Sequence, residues 1–281
     1  MNQLGVVGAG SMGAEIALMF AFAGAEVWLA DRSEEVLSAA LQRLQGLLAK
    51  GVTRGFYQAD ATAAALGRIR TCVELSALAE CDLVTEAVFE DLEVKQQVLR
   101  SLDSVCKPSC ILATNTSTIP ISTLAACVSG PRRPQLIGTH YFSPVSRMKL
   151  VEIICAFDTS ESTVNQTWEL CMRAGKTPIR VKDVAGFAVN RVLHAFLIEA
   201  VRLVEEGVAS VEDIDTACRL GLGHPMGPFE LMDATTSSLC AQAQEIMFEA
   251  YGERFRPRPL LKQRVSAGLV GGKKAKGWRR P

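Results

Sequence analysis

Leu4-Gly5-Val6-Val7-Gly8-Ala9-Gly10-Ser11-Met12-Gly13, almost at the start of the chain, is an apolar run that leads directly into three glycines spaced G-x-G-x-x-G. A second apolar run, Val27-Trp28-Leu29-Ala30, closes on Asp31, an acid about twenty residues further on. Strand before, helix after and acid at that distance make this a dinucleotide turn, whereas the glycine spacing alone would be a weak signal. Gly8 permits the tight strand-to-helix turn, Gly10 lets the backbone approach a pyrophosphate, and Gly13 lets helix and strand pack closely. Gly8, Gly10, Ser11, Met12 and Gly13 are therefore expected to hold the diphosphate at a helix N-terminus, whose unsatisfied N–H groups and positive dipole end favour an anion. Asp31 can accept both adenosine ribose hydroxyls, which favours NAD, because a 2′-phosphate would meet a negative charge. Arg32 leaves NADP open, since an arginine there can accommodate that phosphate.

With 281 residues, 48% of them apolar, the chain can bury a core and is expected to divide into two domains. Acidic and basic residues balance at 30 each and the pI is about 6.8, which argues against nucleic acid as a partner. The basic end, Lys273-Lys274-Ala275-Lys276-Gly277-Trp278-Arg279-Arg280, is the local exception, and it reads as a solvated, partly mobile tail. Nine scattered cysteines, with no signal sequence ahead of the first strand, read as reduced thiols in the cytoplasm. No CxxC pair occurs, and Cys106 and Cys110 flank Pro108 with no histidine nearby, so no metal is expected. No run is long and uncharged enough to span a bilayer, so no membrane partner is expected either.

The fold class that follows is α/β: a Rossmann-like, doubly wound, mostly parallel sheet with a helical hairpin insertion, followed by an all-α C-terminal domain. Val36, Leu37, Leu41, Leu44, Leu47 and Leu48 recur at helical spacing over 34–50, and after Gly51 and Gly55 a second helix is predicted over 58–66. This is too much helix for a minimal crossover, hence the hairpin. The runs Leu83-Val84-Thr85, Ile111-Leu112-Ala113 and Leu136-Ile137-Gly138 alternate with helical patterns over 92–102 and 121–128, as in a parallel sheet. From about Lys182 to Gly186 the pattern turns to helix only, with one long helix over 187–206, an N-cap at Ser210, and helix resuming after the Gly-Pro cluster 221–228 up to Tyr251. The boundary is set at 184/185, giving a cofactor domain over 1–184 and a helical substrate and dimerisation domain over 185–281.

Oxidising an alcohol at a nicotinamide requires a base for the hydroxyl proton, and histidine has a suitable pKa. Three are available. His140 follows the third short run and so lies at the cofactor edge of the sheet, where ligands of such sheets bind. His194 reads as a helix residue and His224 as a turn residue. A carboxylate must hold the other ring nitrogen of His140, and Glu152 is the candidate: it interrupts Leu150-Val151-Glu152-Ile153-Ile154, where an unpaired buried carboxylate would cost several kcal/mol. The alternative is a glutamate that faces solvent. Asn190, within Phe187-Ala188-Val189-Asn190-Arg191, either reaches back toward a substrate oxygen or lies on a helix surface.

Together these residues resemble the L-3-hydroxyacyl-CoA dehydrogenases, including the short monofunctional 3-hydroxybutyryl-CoA type, over essentially the whole chain. The more specific match is His140-Tyr141-Phe142-Ser143-Pro144 with Met148-Lys149-Leu150-Val151-Glu152, at the family spacing. The resemblance implies a catalytic dyad of His140 and Glu152. It also implies that Ser117 of Asn115-Thr116-Ser117 and Asn190 hydrogen-bond the substrate, with Asn115 toward the cofactor and Ser143 lining the substrate pocket. Glu90 and Lys95 match residues beside the nicotinamide ribose and the substrate, and Pro225-Met226-Gly227-Pro228-Phe229-Glu230-Leu231 matches the signature of a domain that usually pairs two subunits. Ser143 stands where many short members carry asparagine, and Arg279-Arg280-Pro281 replaces an acidic-aromatic finish. Lys50 and Arg54 of the hairpin are candidates for CoA phosphates, although the family's contacts there do not align cleanly.

The expectation is thus an NAD-dependent, cytoplasmic, homodimeric oxidoreductase of acyl-CoA thioesters, of the β-oxidation type, in which His140 takes the 3-hydroxyl proton and Glu152 supports it. Two rivals stand beside it: a dehydrogenase of a free 3-hydroxy acid or sugar acid, and a non-catalytic NAD-binding structural or sensor protein.

Overall fold

The computed structural model describes residues 1–272 and 275–279. It divides into two compact units, Met1–Val184 and Ala185–Pro281.

The first unit is built on an eight-stranded sheet with spatial order β3-β2-β1-β4-β5-β6-β7-β8. Its strands are β1 (Gln3–Val7), β2 (Glu26–Ala30), β3 (Ile69–Cys72), β4 (Leu83–Glu86), β5 (Ile111–Thr114), β6 (Leu136–Tyr141), β7 (Leu150–Cys155) and β8 (Thr177–Lys182). All neighbours run parallel except β6 and β7, which pair antiparallel. The chain order reverses between β1 and β4, and a ligand of such a sheet binds at that switch point, outside the carboxyl ends of the strands.

The helix α1 (Ser11–Phe22) follows β1 and is buried through Ile16, Ala17, Leu18 and Phe20. The predicted hairpin is α2 (Glu34–Thr53) and α3 (Ala59–Gly67). Ser33 caps α2, its Oγ accepting from Val36 N, with Glu34 and Glu35 in the first turn where the helix dipole favours acids. Only Leu37, Ala40, Leu44, Leu48 and Gly51 of α2 are buried, a single stripe at helical spacing. Asp91 caps α4 (Leu92–Val105) in the same way, accepting from Val94 N at 3.0 Å. Two further helices, α5 (Ile121–Ala125) and α6 (Glu161–Arg173), complete the unit.

Strands β3 and β8, the two edges of the sheet, were not anticipated from the sequence. Arg70 in the first and Thr177, Arg180 and Lys182 in the second face solvent, so neither reads as a continuous apolar run. Charged, short edges of this kind keep a sheet from pairing with another chain.

The second unit holds α7 (Val189–Glu205), α8 (Val211–Gly221), α9 (Pro228–Thr235), α10 (Ser237–Tyr251) and α11 (Pro259–Ser266) around Leu197, Val201, Phe229, Met232, Leu261 and Trp278. Ser210 caps α8 by accepting from Asp213 N at 3.1 Å. Two boundaries differ from the sequence reading. The long helix begins at Val189 rather than Phe187, because Gly186 (φ 73°) and Phe187 (φ 47°) both adopt left-handed backbone that no helix continues through. The helix expected up to Tyr251 is broken at Thr236, with φ 96°.

The basic tail is a larger correction. Lys273, Lys274 and Arg280 lie outside the described residues, but Trp278 is 4% exposed and joins the core of the second unit instead of being solvated. Its indole Nε1 donates to Ser237 Oγ at 2.9 Å, its backbone N donates to Asp233 Oδ1 at 2.8 Å, and the Arg264 guanidinium covers the ring at 4.4 Å. Gly277 is required beside it, because a Cβ there would run into the Asp233 carboxylate. In the sequence, the basic residues flanking Trp278 hide the signal of a hydrophobic anchor.

Candidate active site

At the turn after β1, Gly8 has φ 104°, a conformation open to glycine, and a Cβ would stand 2.6 Å from the Ala87 carbonyl oxygen. A Cβ on Gly13 would stand 1.8 Å from the Gly8 carbonyl oxygen, so α1 packs against the turn only because nothing is there. Gly10 faces open space, with no atom within 4 Å of a built Cβ, and α1 begins at Ser11 with no acid in its first turn. A cradle of this shape at a helix N-terminus fits a diphosphate.

Asp31 stands at the end of β2. Its Oδ2 accepts from Ala9 N at 2.7 Å and its Oδ1 from Arg32 N at 2.8 Å, so the carboxylate ties the glycine turn to the second strand. The Arg43 guanidinium on α2 donates to the Ala9 carbonyl at 2.8 Å from the other side. Sequence reading missed Arg43, since one arginine on the polar side of an amphipathic helix carries no signal of its own. Arg32 is exposed.

His140 and Glu152 are directly opposite each other in the antiparallel register of β6 and β7. Glu152 is fully buried and His140 is 5% exposed, with Nδ1 2.7 Å from Glu152 Oε2. An ionised carboxylate only accepts, so Nδ1 carries its proton toward Glu152, and in the neutral ring Nε2 is left as an acceptor. Ser117 Oγ lies 3.1 Å from that Nε2. The Phe142 ring, 4.6 Å from the imidazole centroid, lies against the histidine. The arrangement holds the histidine in one tautomer, with its basic nitrogen directed at a hydroxyl.

Ser117 sits on a loop gathered by one carboxylate oxygen. Glu90 Oε1 accepts from Thr116 Oγ1 (2.6 Å), Ser117 N (2.8 Å), Thr118 N (2.9 Å) and Thr118 Oγ1 (2.9 Å). Burial pushes the Glu90 carboxyl up, but the Lys95 charge and these bonds hold it net below the usual range. Lys95 Nζ is 3.4 Å from Glu90 Oε2 and 2.8 Å from Glu86 Oε1, and its side chain is only 1% exposed. Lys95 is thus sealed from solvent, and sequence reading missed its partner Glu86.

Asn115 Oδ1 accepts from Tyr141 N at 2.9 Å, which ties the loop after β5 to β6. Ser143 is exposed beyond the end of β6. Asn190 belongs to the second unit, as the second residue of α7. His224 is exposed, edge-on to Phe196. Burial pushes the His194 imidazole down to about 4, so it stays neutral near pH 7. In the first unit a cavity of about 650 Å³ is lined by Lys50, Arg54, Arg147, Tyr57 and Pro144 among others. No helix among the described residues is long and apolar enough to cross a membrane.

Residues 3–184 match the family model "3-hydroxyacyl-CoA dehydrogenase, NAD binding domain", and residues 186–280 match its C-terminal domain. A probable 3-hydroxybutyryl-CoA dehydrogenase of Deinococcus radiodurans is 39% identical over 98% of this chain and 99% of its own length. The 3-hydroxyadipyl-CoA dehydrogenase of Escherichia coli is likewise 39% identical, over 99% of this chain and 59% of its own length. The crystal structure of (S)-3-hydroxybutyryl-CoA dehydrogenase from Ralstonia eutropha superposes with a TM-score of 0.95 at 34% identity, covering 99% of this chain and 98% of that one. Both domains match in order along nearly the full length, and the chain belongs to the 3-hydroxyacyl-CoA dehydrogenase family.

Proposed function

We propose that the chain interconverts (S)-3-hydroxyacyl-CoA and 3-oxoacyl-CoA with NAD, using His140 as the base and acid of the reaction. The observation that carries this reading is the one imidazole held by Glu152 at 2.7 Å and facing Ser117 at 3.1 Å, in the same sheet as the glycine turn. Bound NAD supplies the acceptor for the hydride that leaves the substrate's C3. His140 Nε2 takes the proton of the 3-hydroxyl as that C–H bond breaks, so the carbonyl forms with hydride and proton both accounted for. Glu152 stabilises the imidazolium and keeps the ring from turning, and the Ser117 hydroxyl orients the reacting oxygen. In the reductive direction His140 returns the proton.

Gly8, Gly10, Ser11, Met12 and Gly13 would hold the diphosphate, and the Asp31 carboxylate disfavours a 2′-phosphate. Asn115, Glu90 and Lys95 would shape the nicotinamide side. Asn190 and Ser143 are further substrate contacts on the family pattern. The cavity beside Pro144 supports a thioester over a free acid: Lys50, Arg54 and Arg147 offer three cations against the one carboxylate of Glu15, with Tyr57 as an aromatic face, as a phosphorylated adenosine requires. Exposed Val208, Leu220 and Leu222 on the second unit suit a homodimer contact.

The purified chain, given NADH and acetoacetyl-CoA, is expected to consume NADH and to form 3-hydroxybutyryl-CoA. Free acetoacetate, or NADPH in place of NADH, should react far more slowly. Equal rates with acetoacetate would move the assignment to a free-acid dehydrogenase, and NADH binding without turnover of any thioester would move it to a non-catalytic binder.

A further inference from the structure

Glu86 is the last residue of β4, fully buried, and none of the catalytic steps above uses it. Both of its carboxylate oxygens are nonetheless engaged. Oε2 accepts from Thr114 Oγ1 at 2.6 Å, across the register pair with the end of β5. Oε1 accepts from Val88 N at 2.7 Å and from Lys95 Nζ at 2.8 Å. Lys95 reaches onward to the Val88 carbonyl at 3.3 Å and to Glu90 Oε2 at 3.4 Å. Glu90 then spends its other oxygen on the four donors of residues 116–118.

The chain of contacts therefore runs from Glu86 to Lys95 to Glu90 to the Ser117 loop, and Ser117 Oγ ends it 3.1 Å from His140 Nε2. A lysine this buried requires a full counter-charge, since an uncompensated ammonium is strongly disfavoured away from water. Glu86 supplies it at contact distance, which leaves Lys95 a looser hold on Glu90 and leaves Glu90 Oε1 free to gather the loop. With Glu86 neutralised, Lys95 would close on Glu90, the only other carboxylate at ion-pair distance among the described residues, and draw it off the loop.

We propose that Glu86 is a positioning residue for the reaction, setting the Ser117 hydroxyl against His140 through Lys95 and Glu90. This role rests on the dehydrogenase reading above. It requires no contact between Glu86 and substrate or cofactor. A reacting group displaced by even a fraction of an ångström can cost an order of magnitude or more in rate, so an effect through two intermediaries is measurable.

The test is a double-mutant cycle on the full chain with NADH and acetoacetyl-CoA, combining Glu86→Gln with Ser117→Ala. Glu86→Gln is expected to lower kcat by about tenfold. In the Ser117→Ala background the same substitution should change kcat less than about twofold, because the group it positions is gone. Thr114→Val, which keeps the charge of Glu86 and removes one bond to it, should give a smaller loss with the same dependence on Ser117, and it decides the matter if Glu86→Gln does not fold. Both variants should also speed hydrogen exchange at the Ser117 and Thr118 amides, relative to amides in α4. Equal losses in both backgrounds, unchanged exchange at those amides, or wild-type kcat in Glu86→Gln would overturn the role while leaving the dehydrogenase reading intact. A wild-type chain silent toward thioesters would overturn both.

Discussion

His140→Gln is expected to lower kcat with acetoacetyl-CoA and NADH by about 10³-fold, with little change in either KM. Glutamine preserves much of the side chain's bulk and its hydrogen bonding, yet it has no nitrogen that takes and returns a proton near neutral pH. The two neighbours that make the imidazole effective, Glu152 at Nδ1 and Ser117 at Nε2, stay in place, so substrate and cofactor still bind. Steady-state kinetics separates the terms: an interaction used only in the transition state appears in kcat, not in KM. A variant within tenfold of wild type would remove His140 from the mechanism.

The second large effect is expected at the glycine turn, where two substitutions to alanine three residues apart should behave differently. Gly13→Ala places a methyl 1.8 Å from the Gly8 carbonyl oxygen, a backbone atom that cannot swing aside. The helix must move off the sheet, at a stability cost of about 3 kcal/mol, the upper part of the range for overpacking, and the cofactor cradle is lost with it. Gly10→Ala meets nothing within 4 Å. Its melting temperature should stay within about a degree, since surface substitutions without contacts are close to neutral, while NADH affinity falls at least about tenfold because the methyl occupies the approach of the diphosphate. Thermal melting and NADH fluorescence titration read the two apart. Unchanged NADH affinity in Gly10→Ala would place the cofactor elsewhere.

What the sequence discloses depends on whether a residue's neighbours in the chain are also its neighbours in space. The glycine turn, both strands around it and Asp31 form one local unit, and its pattern is legible from end to end. Glu152 was legible for an energetic reason, since a carboxylate among apolar strand residues must be paired. Its pairing with His140 then follows from the antiparallel register of β6 and β7.

Glu86 and Lys95 were not legible in that way. Lys95, within Leu92-Glu93-Val94-Lys95-Gln96-Gln97, looks like an ordinary solvated helix residue, and its burial is imposed by the end of a strand nine residues away. The edge strands were invisible because exposure on one face removes the apolar run that marks a central strand. Trp278 was misread because the five basic residues of the stretch 273–280 outweigh one indole in any compositional view, whereas burial of that indole decides the conformation.

The most direct test of the central claim, that hydride passes between the nicotinamide and C3 of a CoA thioester, follows the isotope. The chain is incubated in ordinary water with acetoacetyl-CoA and NADH carrying deuterium at both C4 positions, and the thioester product is analysed by mass spectrometry. The expected product is 3-hydroxybutyryl-CoA with one deuterium at C3 for each NADH consumed. Unlabelled product, or no thioester product while NADH is bound, would contradict the account.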